Sequence, residues 1–154
     1  MKNVKGYLYS LLFIALLLVG CQVEPKPITY GAANCSHCNM TVADNRYGAE
    51  LVNEKGKAFY FDSSECLMAY VNEQPEQGEK AVFLLVTDFT RPNELIDAHK
   101  ATFLQAKALP SPMGMYLTAV AQQDAAANML QEYGGRLLTW NEAVTAVKND
   151  ERPE

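Results

Sequence analysis

The sequence contains no cluster of lysine or arginine residues, no low-complexity tract and only two histidines. Without a basic patch, nucleic-acid binding is not expected, because proteins that bind phosphate backbones concentrate positive charge on one face. The formal net charge of the 154-residue chain is −5 at pH 7. Without Lys2 and Lys5, the chain would keep 11 basic and 18 acidic residues. This acidity is compatible with cations or a basic partner.

No apolar run is long enough to be a comfortable transmembrane helix, which needs about 20 residues. A shorter apolar run, from Tyr7 to Val19, follows two lysines, which predicts a secretory signal over residues 1–20. Leu18-Val19-Gly20-Cys21 resembles the lipobox of bacterial lipoproteins, which implies lipidation at Cys21. We therefore expect an extracytoplasmic protein that is lipid-anchored to the cell membrane, or to the outer membrane in a two-membrane cell. An ordinary cleaved signal and an uncleaved anchor are the alternatives.

A proline-containing segment precedes the first group of predicted strands and helices. Residues 21–34 predict a membrane-proximal tether, with the ordered part starting near Cys35. Residues 35–99 predict a first ββαβ module. Its elements are a hairpin formed by residues 49–52 and 57–61 around the turn NEKG, a helix that starts at Asp62 or Ser63 and ends before Pro75, and the buried strand KAVFLLVTDF.

Residues 100–150 repeat this order and predict a second ββαβ module. Its elements are the strands ATFLQA and MYLTAVAQ, the helix QDAAANMLQEYGG, the short strand RLLTW and a final helix capped by Asn141. The acidic tail KNDERPE is expected to fray. Each module alone is too small to bury a good core. The predicted fold is therefore α+β, with two small ββαβ modules packed together.

Three cysteines remain if Cys21 carries lipid: Cys35, Cys38 and Cys66. The Cys-x-x-Cys spacing is compatible with a disulfide, a redox pair or half of a zinc site. A zinc site would lack its second Cys-x-x-Cys pair. A redox pair is expected at the start of a helix, whereas the following MTVADNRYG has no helical pattern. An odd number of thiols leaves at least one of them free.

The methionine two residues after Cys38 favours a copper site. Thioether sulfur is a soft ligand that suits Cu(I). In an extended segment Cys38 and Met40 would point to the same side. A third ligand must come from elsewhere, and Met113 in the proline-flanked loop PSPMGMY is a candidate. Met68 and Met129 are expected to pack in the core, and His99 is expected on the surface.

Together these segments resemble the NosL family, lipoproteins that serve as copper chaperones for nitrous oxide reductase. The similar stretches are, in chain order, CSHCNMTVAD, YGAELVNEKGKAFYFDSSECLMAYV, VTDF, IDAHKATFL, SPMGMYLTAVAQQDAAANML and YGGRLLTWNEA. The most specific points are Cys38-Asn39-Met40 and Met113-Gly114. The resemblance implies a fold of two ββαβ modules, related to the small modules of organomercurial lyase.

The resemblance also implies a site and a partner. Its residues carried over to this chain place one Cu(I) ion on Cys38, Met40 and Met113. Cys35 is a further candidate ligand or a disulfide partner of Cys38, and Cys66 is expected to be a buried structural thiol. The implied partner is apo nitrous oxide reductase or another copper protein, with no catalysis. A thiol–disulfide redox lipoprotein and a general metal-scavenging lipoprotein are the alternatives.

Overall fold

The computed structural model describes residues 22–153. The predicted signal over residues 1–20 and the lipidation at Cys21 lie outside the described residues. Within residues 22–153, no helix has both the length and the apolar character that crossing a bilayer requires.

The described chain folds into two antiparallel sheets and four helices, which confirms the predicted α+β class. The first half contains β1 (Ala49–Asn53), β2 (Ala58–Phe61), α1 (Ser64–Glu73), α2 (Pro75–Glu79), β3 (Ala81–Thr87) and β4 (Leu95–Asp97). The second half contains β5 (Thr102–Gln105), β6 (Leu117–Val120), α3 (Gln123–Tyr133), β7 (Arg136–Leu138) and α4 (Trp140–Lys148). The short α2 and β4 were not predicted, because five-residue and three-residue elements show too little periodicity.

The two halves share one strand order. The first sheet is ordered β2-β1-β3-β4 and the second β6-β5-β7, so the first strand of each half is central. In both halves that strand pairs antiparallel with the next strand and with the strand after the helix. This common order agrees with the predicted repeat of a ββαβ unit.

One hydrophobic core joins the halves. It contains Leu51 and Leu67 from the first half together with Phe103 and Trp140 from the second. Along β5, Phe103 enters this core while its neighbour Leu104 faces a smaller cluster under α3, as the two-residue period of a strand requires. The second sheet is thus covered on both faces, and α1 lies against α4 through a hydrogen bond of 3.0 Å from Asn72 Nδ2 to the Val144 carbonyl.

Side-chain caps begin two of the helices. The predicted cap Ser63 accepts a hydrogen bond from the Cys66 N–H at the start of α1. The predicted cap Asn141 is wrong, since α4 begins one residue earlier, at Trp140, and is capped by Thr139. Glu142 accepts from the Thr139 N–H and completes a capping box, which favours the threonine as the cap.

Both chain ends of the described region contact the domain. Residues 26–34, predicted as part of the tether, pack on it: Ile28 and Tyr30 lie against the core, and the Lys26 N–H donates to Glu50. The prediction that order starts near Cys35 is therefore wrong, because these apolar side chains find a surface to bury. The expected fraying of the tail is also wrong, because the Glu151 carbonyl accepts a hydrogen bond of 2.7 Å from Gln105 Nε2.

Gly135 marks a close approach of two backbones. Its φ is +94°, and a Cβ there would stand 2.1 Å from the Gln105 carbonyl oxygen. Gly135→Ala is expected to lower the free energy of unfolding by more than about 2 kcal/mol, since left-handed backbone alone costs an L residue roughly 1–2 kcal/mol. Denaturant unfolding of the full chain in detergent measures this loss.

Gly56→Ala is the matched control. Gly56 also has a positive φ, +72°, but no atom lies within 4 Å of a Cβ built there. The free energy of unfolding of Gly56→Ala should fall only by the cost of a left-handed backbone at an L residue, roughly 1–2 kcal/mol. Equal losses in the two variants would contradict a steric role for Gly135.

Candidate metal centre

The segment from Cys35 to Met40 forms a closed turn. The Cys35 N–H donates to the Met40 carbonyl at 2.8 Å, and the Asn39 N–H donates to the Cys35 carbonyl at 3.0 Å. Asn39 has a φ of +62°, a left-handed conformation that asparagine tolerates better than most residues. The predicted extended geometry of Cys38 and Met40 is therefore wrong, because the chain reverses between Asn34 and Thr41.

The Cys35 sulfur lies among backbone N–H groups. The Cys38 N–H donates to Cys35 Sγ at 3.5 Å, and the backbone N–H groups of Asp62 and His37 also contribute to lowering the pKa of this thiol. Cys35 itself is only 2% exposed. Converging amide dipoles stabilise negative charge in a buried position, so this turn is built to hold an anionic sulfur.

Three thiols and one carboxylate meet at this sulfur. The Sγ atoms of Cys35, Cys38 and Cys66 and a carboxylate oxygen of Asp62 all lie within 4.8 Å of one another. Asp62 follows β2 directly, and Cys66 lies in the first turn of α1. The Cys38 thiol donates a hydrogen bond of 3.6 Å to Asp62 Oδ2. The described chain contains no disulfide, and these three thiols are free.

The thiols differ in their affinity for a proton. A hydrogen bond from the Cys66 thiol, together with the surrounding backbone N–H groups, outweighs burial and lowers the pKa of Cys35 to about 5. The same hydrogen bond, with burial, raises the pKa of Cys66. Burial raises the pKa of Cys38. At neutral pH the cluster therefore holds one thiolate, on Cys35, and two protonated thiols.

A buried glutamate fixes the loop that carries Met113. Glu65, 1% exposed at the second position of α1, accepts hydrogen bonds from the Met113 N–H at 3.0 Å and the Leu117 N–H at 3.1 Å. Its carboxylate also accepts from Ser111 Oγ, which in turn accepts from the Tyr116 N–H at 2.7 Å. Burial raises the pKa of Glu65. This carboxylate thus attaches the Met113 loop of the second half to the helix that carries Cys66.

Met113 lines a small cleft together with one thiol of the cluster, that of Cys66. The cleft has a volume of about 150 Å³, and its lining includes His37, Cys66, Met113 and Met115. His37 Nε2 contacts Glu73 Oε1 at 3.2 Å, whereas His37 Nδ1 is buried without a hydrogen-bond partner in the described chain. The cleft therefore offers thiol, thioether and imidazole groups side by side.

The predicted ligands reach this region unequally. Cys38 and Cys35 lie in the cluster, and Met113 is half-buried in the adjoining cleft. Met40 lies two residues after Cys38, but its side chain is 52% exposed. Three other predicted positions are confirmed: Met68 and Met129 are in the core, and His99 is exposed.

Sequence reasoning missed the positions of Asp62 and Cys66 beside Cys35. Cys66 is buried as expected, but its sulfur points into the cluster. The one available signal was the spacing of Asp62 and Cys66, four residues apart across the start of a helix, which places both near one helix end. Nothing in the local sequence showed that the Cys-x-x-Cys turn would pack against that end.

The fold and the site define a small two-sheet α+β protein with a cluster of three thiols beside a cleft lined by thioethers. The NosL family model matches residues 26–147, and the chain belongs to the NosL family. Its structure is similar to the crystal structure of the copper chaperone NosL from Shewanella denitrificans, with a TM-score of 0.68 and 20% sequence identity. That match covers 79% of this chain and 96% of the other, and it shows the fold. No curated protein sequence matches the chain.

The thiolate of Cys35 depends on the proton that Cys66 donates. In the reduced, metal-free chain, ultraviolet thiolate absorbance should persist at neutral pH and disappear as the pH falls through about 5. Cys66→Ala removes the first cause of the lowered pKa, so the loss of absorbance should move to higher pH. Cys66→Ser keeps a hydroxyl donor and should titrate close to the wild type. A Cys66→Ala curve identical to the wild type would contradict this coupling.

Glu65→Ala should release the Met113 loop. The Met113 and Leu117 N–H groups would lose their acceptor, and each buried donor left unsatisfied costs roughly 1–3 kcal/mol. We expect a loss of about 2–5 kcal/mol in unfolding free energy and faster amide exchange at these two positions. Glu76→Ala, at an exposed ion pair with Lys80, is the control and should change neither measurement. Unchanged exchange in Glu65→Ala would show that the loop is held by other contacts.

Proposed function

We propose that this chain is a copper chaperone that binds one Cu(I) ion outside the cytoplasm and delivers it to nitrous oxide reductase. The proposal is supported by membership of the NosL family and by the similarity of the fold to a copper chaperone. One observation carries it: the Cys38 turn and the Met113 loop, 75 residues apart, converge on the Cys66 end of α1. We expect no catalytic turnover.

Cys38, Met40 and Met113 are the proposed ligands of the ion, with Cys35 as a further candidate. Cys38 supplies a negatively charged thiolate, and the methionines supply neutral thioethers. This soft donor set suits Cu(I) better than hard divalent cations. Copper is the cargo of this site, so the site must release it as well as bind it.

Binding of the ion at Cys38 releases a proton. Burial raises the pKa of Cys38, so this thiol is protonated at neutral pH and must lose its proton to bind metal. Cu(I) affinity should therefore increase with pH until the thiol is ionised. The thioethers do not titrate, so Met40 and Met113 contribute at every pH.

The exposure of Met40 provides a route for transfer. Its side chain is 52% exposed, whereas Cys35 and Cys66 are almost completely buried. A ligand of the acceptor protein can replace the exposed thioether first, and the ion then moves by stepwise ligand exchange without release as a free ion. Three-coordinate copper leaves space for such an incoming ligand.

A lipid anchor would hold the chaperone at the membrane surface. We propose residues 1–20 as the signal and Cys21 as the lipidated residue of an extracytoplasmic protein, since several acyl chains anchor a protein stably. The alternative functions are those of a general copper-scavenging lipoprotein or a thiol–disulfide redox lipoprotein. The free thiols of Cys35, Cys38 and Cys66, close to one another around a lowered thiol pKa, favour the second of these.

The copper proposal is tested by Cu(I) titration of the reduced full chain against a competing chelator. Cys38→Ala should weaken Cu(I) binding by at least about 100-fold. Removal of a group that only hydrogen-bonds to a metal ligand already lowers metal affinity by about 10- to 100-fold, and removal of the ligand itself should cost more. Met40→Leu and Met113→Leu should each weaken Cu(I) binding by about tenfold or more. Met129→Leu, in the second core cluster, is the control and should leave affinity unchanged.

Unchanged affinity in both Cys38→Ala and Met40→Leu would reject these ligands. Incubation of the loaded chain with apo nitrous oxide reductase tests the partner. Copper should transfer in the presence of excess chelator, whereas a scavenger would retain it. A stable disulfide that exchanges with other thiols and excludes copper would favour the redox alternative.

A further inference from the structure

Four donor atoms converge at one end of α1, and two of them belong to residues outside the proposed copper ligands. Cys66 and Asp62 lie with Cys35 and Cys38 so that three sulfurs and one carboxylate oxygen are within 4.8 Å of one another. Cys35, Asp62 and Cys66 are each no more than 3% exposed. These atoms form a closed set of one oxygen and three sulfurs, without a methionine.

The spacing of the sulfurs suits a single ion. Sulfurs bound to one cation at about 2.3 Å stand about 4 Å apart in trigonal or tetrahedral geometry. The donor atoms in this structure, at separations of up to 4.8 Å, need to move by less than 1 Å to reach that arrangement. The set can therefore close on an ion through side-chain rotation, without refolding of the turn or the helix.

The surroundings offset the negative charge of such a site. The Cys35 sulfur already accepts a hydrogen bond of 3.5 Å from the Cys38 N–H, which stabilises negative charge on it. Cys66 and Asp62 lie at the N-terminal end of α1, a helix of ten residues, where the helix dipole favours negative charge. Ser63 Oγ fixes this end by accepting the Cys66 N–H.

We propose that Cys35, Cys38, Cys66 and Asp62 form a second metal site, which holds a thiophilic cation such as Cu(I) or Zn(II) below the Cys38–Met40 surface. On binding, Cys38 and Cys66 each release a proton to solvent while Cys35 binds as a thiolate, and no electron is transferred. Cys38 belongs to both sites, so the ion occupies one of them at a time. The surface site exchanges the ion with a partner, and the buried site retains it. The statement that the exchanged ion is copper rests on the proposed function. The choice of the four donor atoms does not depend on that function.

Cd(II) is the direct probe, because its bonds to thiolates absorb in the ultraviolet in proportion to the number of bound sulfurs, whereas thioether and carboxylate ligands add little. Titration of the reduced full chain should reach saturation at one Cd(II) per chain with the absorbance of three thiolates. Cys66→Ala should lose roughly one third of that absorbance and bind at least about tenfold more weakly. Asp62→Asn should keep the absorbance and weaken binding.

Met40→Leu and Met113→Leu are the matched controls, and both should leave the Cd(II) absorbance and affinity unchanged. Circular dichroism and thermal unfolding of each metal-free variant exclude loss of fold as the cause of a change. Cys66→Ser, which keeps a small polar side chain, repeats the measurement if Cys66→Ala is unstable. An absorbance that is unchanged in both Cys66 variants, or that is lost in the methionine variants, would overturn the buried site.

The same variants separate this inference from the copper function. Zn(II) and Cu(I) titrations identify which cation the buried site prefers, and Zn(II) binding should depend on Cys66 but not on Met113. A wild-type chain that binds Cd(II) through three thiolates but does not retain Cu(I) against the chelator would reject the chaperone function and keep the site. If the chain binds Cu(I) through Met113 and Cys66→Ala leaves Cd(II) and Zn(II) binding unchanged, the buried site is rejected and the chaperone function is kept.

Discussion

The carboxylate of Glu65 is the interaction on which the site depends. It lies in the first turn of α1, almost without exposure, and accepts hydrogen bonds from backbone and hydroxyl donors of residues 111–117. A charged group in this position is costly to bury unless its oxygens are satisfied. The loop satisfies them, and in return it is held against the helix that also carries Cys66. Two halves with separate sheets therefore meet at one carboxylate, beside the candidate ligands.

The strand and helix order was predictable because each element has a clear local signal. The hairpin turn NEKG, the cap Ser63 before α1 and the glycines after α3 mark boundaries through backbone chemistry that does not depend on the rest of the fold. The errors have two causes, a local capping signal that was overlooked and packing between distant segments. Thr139 rather than Asn141 caps α4 because Glu142 lies at the matching position of the capping box. Residues 26–34 are ordered because Tyr30 packs over Gly48, whose missing side chain leaves space for its ring.

The site was only partly predictable for the same reason. Cys38, Met40 and Met113 were selected by residue type, because soft sulfur donors in a short motif indicate copper whatever their geometry. The position of Cys66 and Asp62 beside Cys35 arises from the closed turn of residues 35–40 and from its contact with the end of β2, where the Ser36 N–H donates a hydrogen bond of 2.7 Å to the Tyr60 carbonyl. Neither the left-handed Asn39 nor this contact has a signal in the local sequence. Glu65 looked like an ordinary helix-start residue until its partners were visible.

The candidate metal ligands come from two separate parts of the chain, which affects the order in which the site assembles. All three thiols and Asp62 lie between residues 35 and 66, whereas Met113 reaches them only when the second half has docked. Because the N-terminal half of a chain is synthesised first, its thiols are available before the methionine loop is in position. An ion held jointly by Cys38 and Met113 would bind the docked halves better than the separated ones. By linkage, copper occupancy and docking of the two halves would then favour each other.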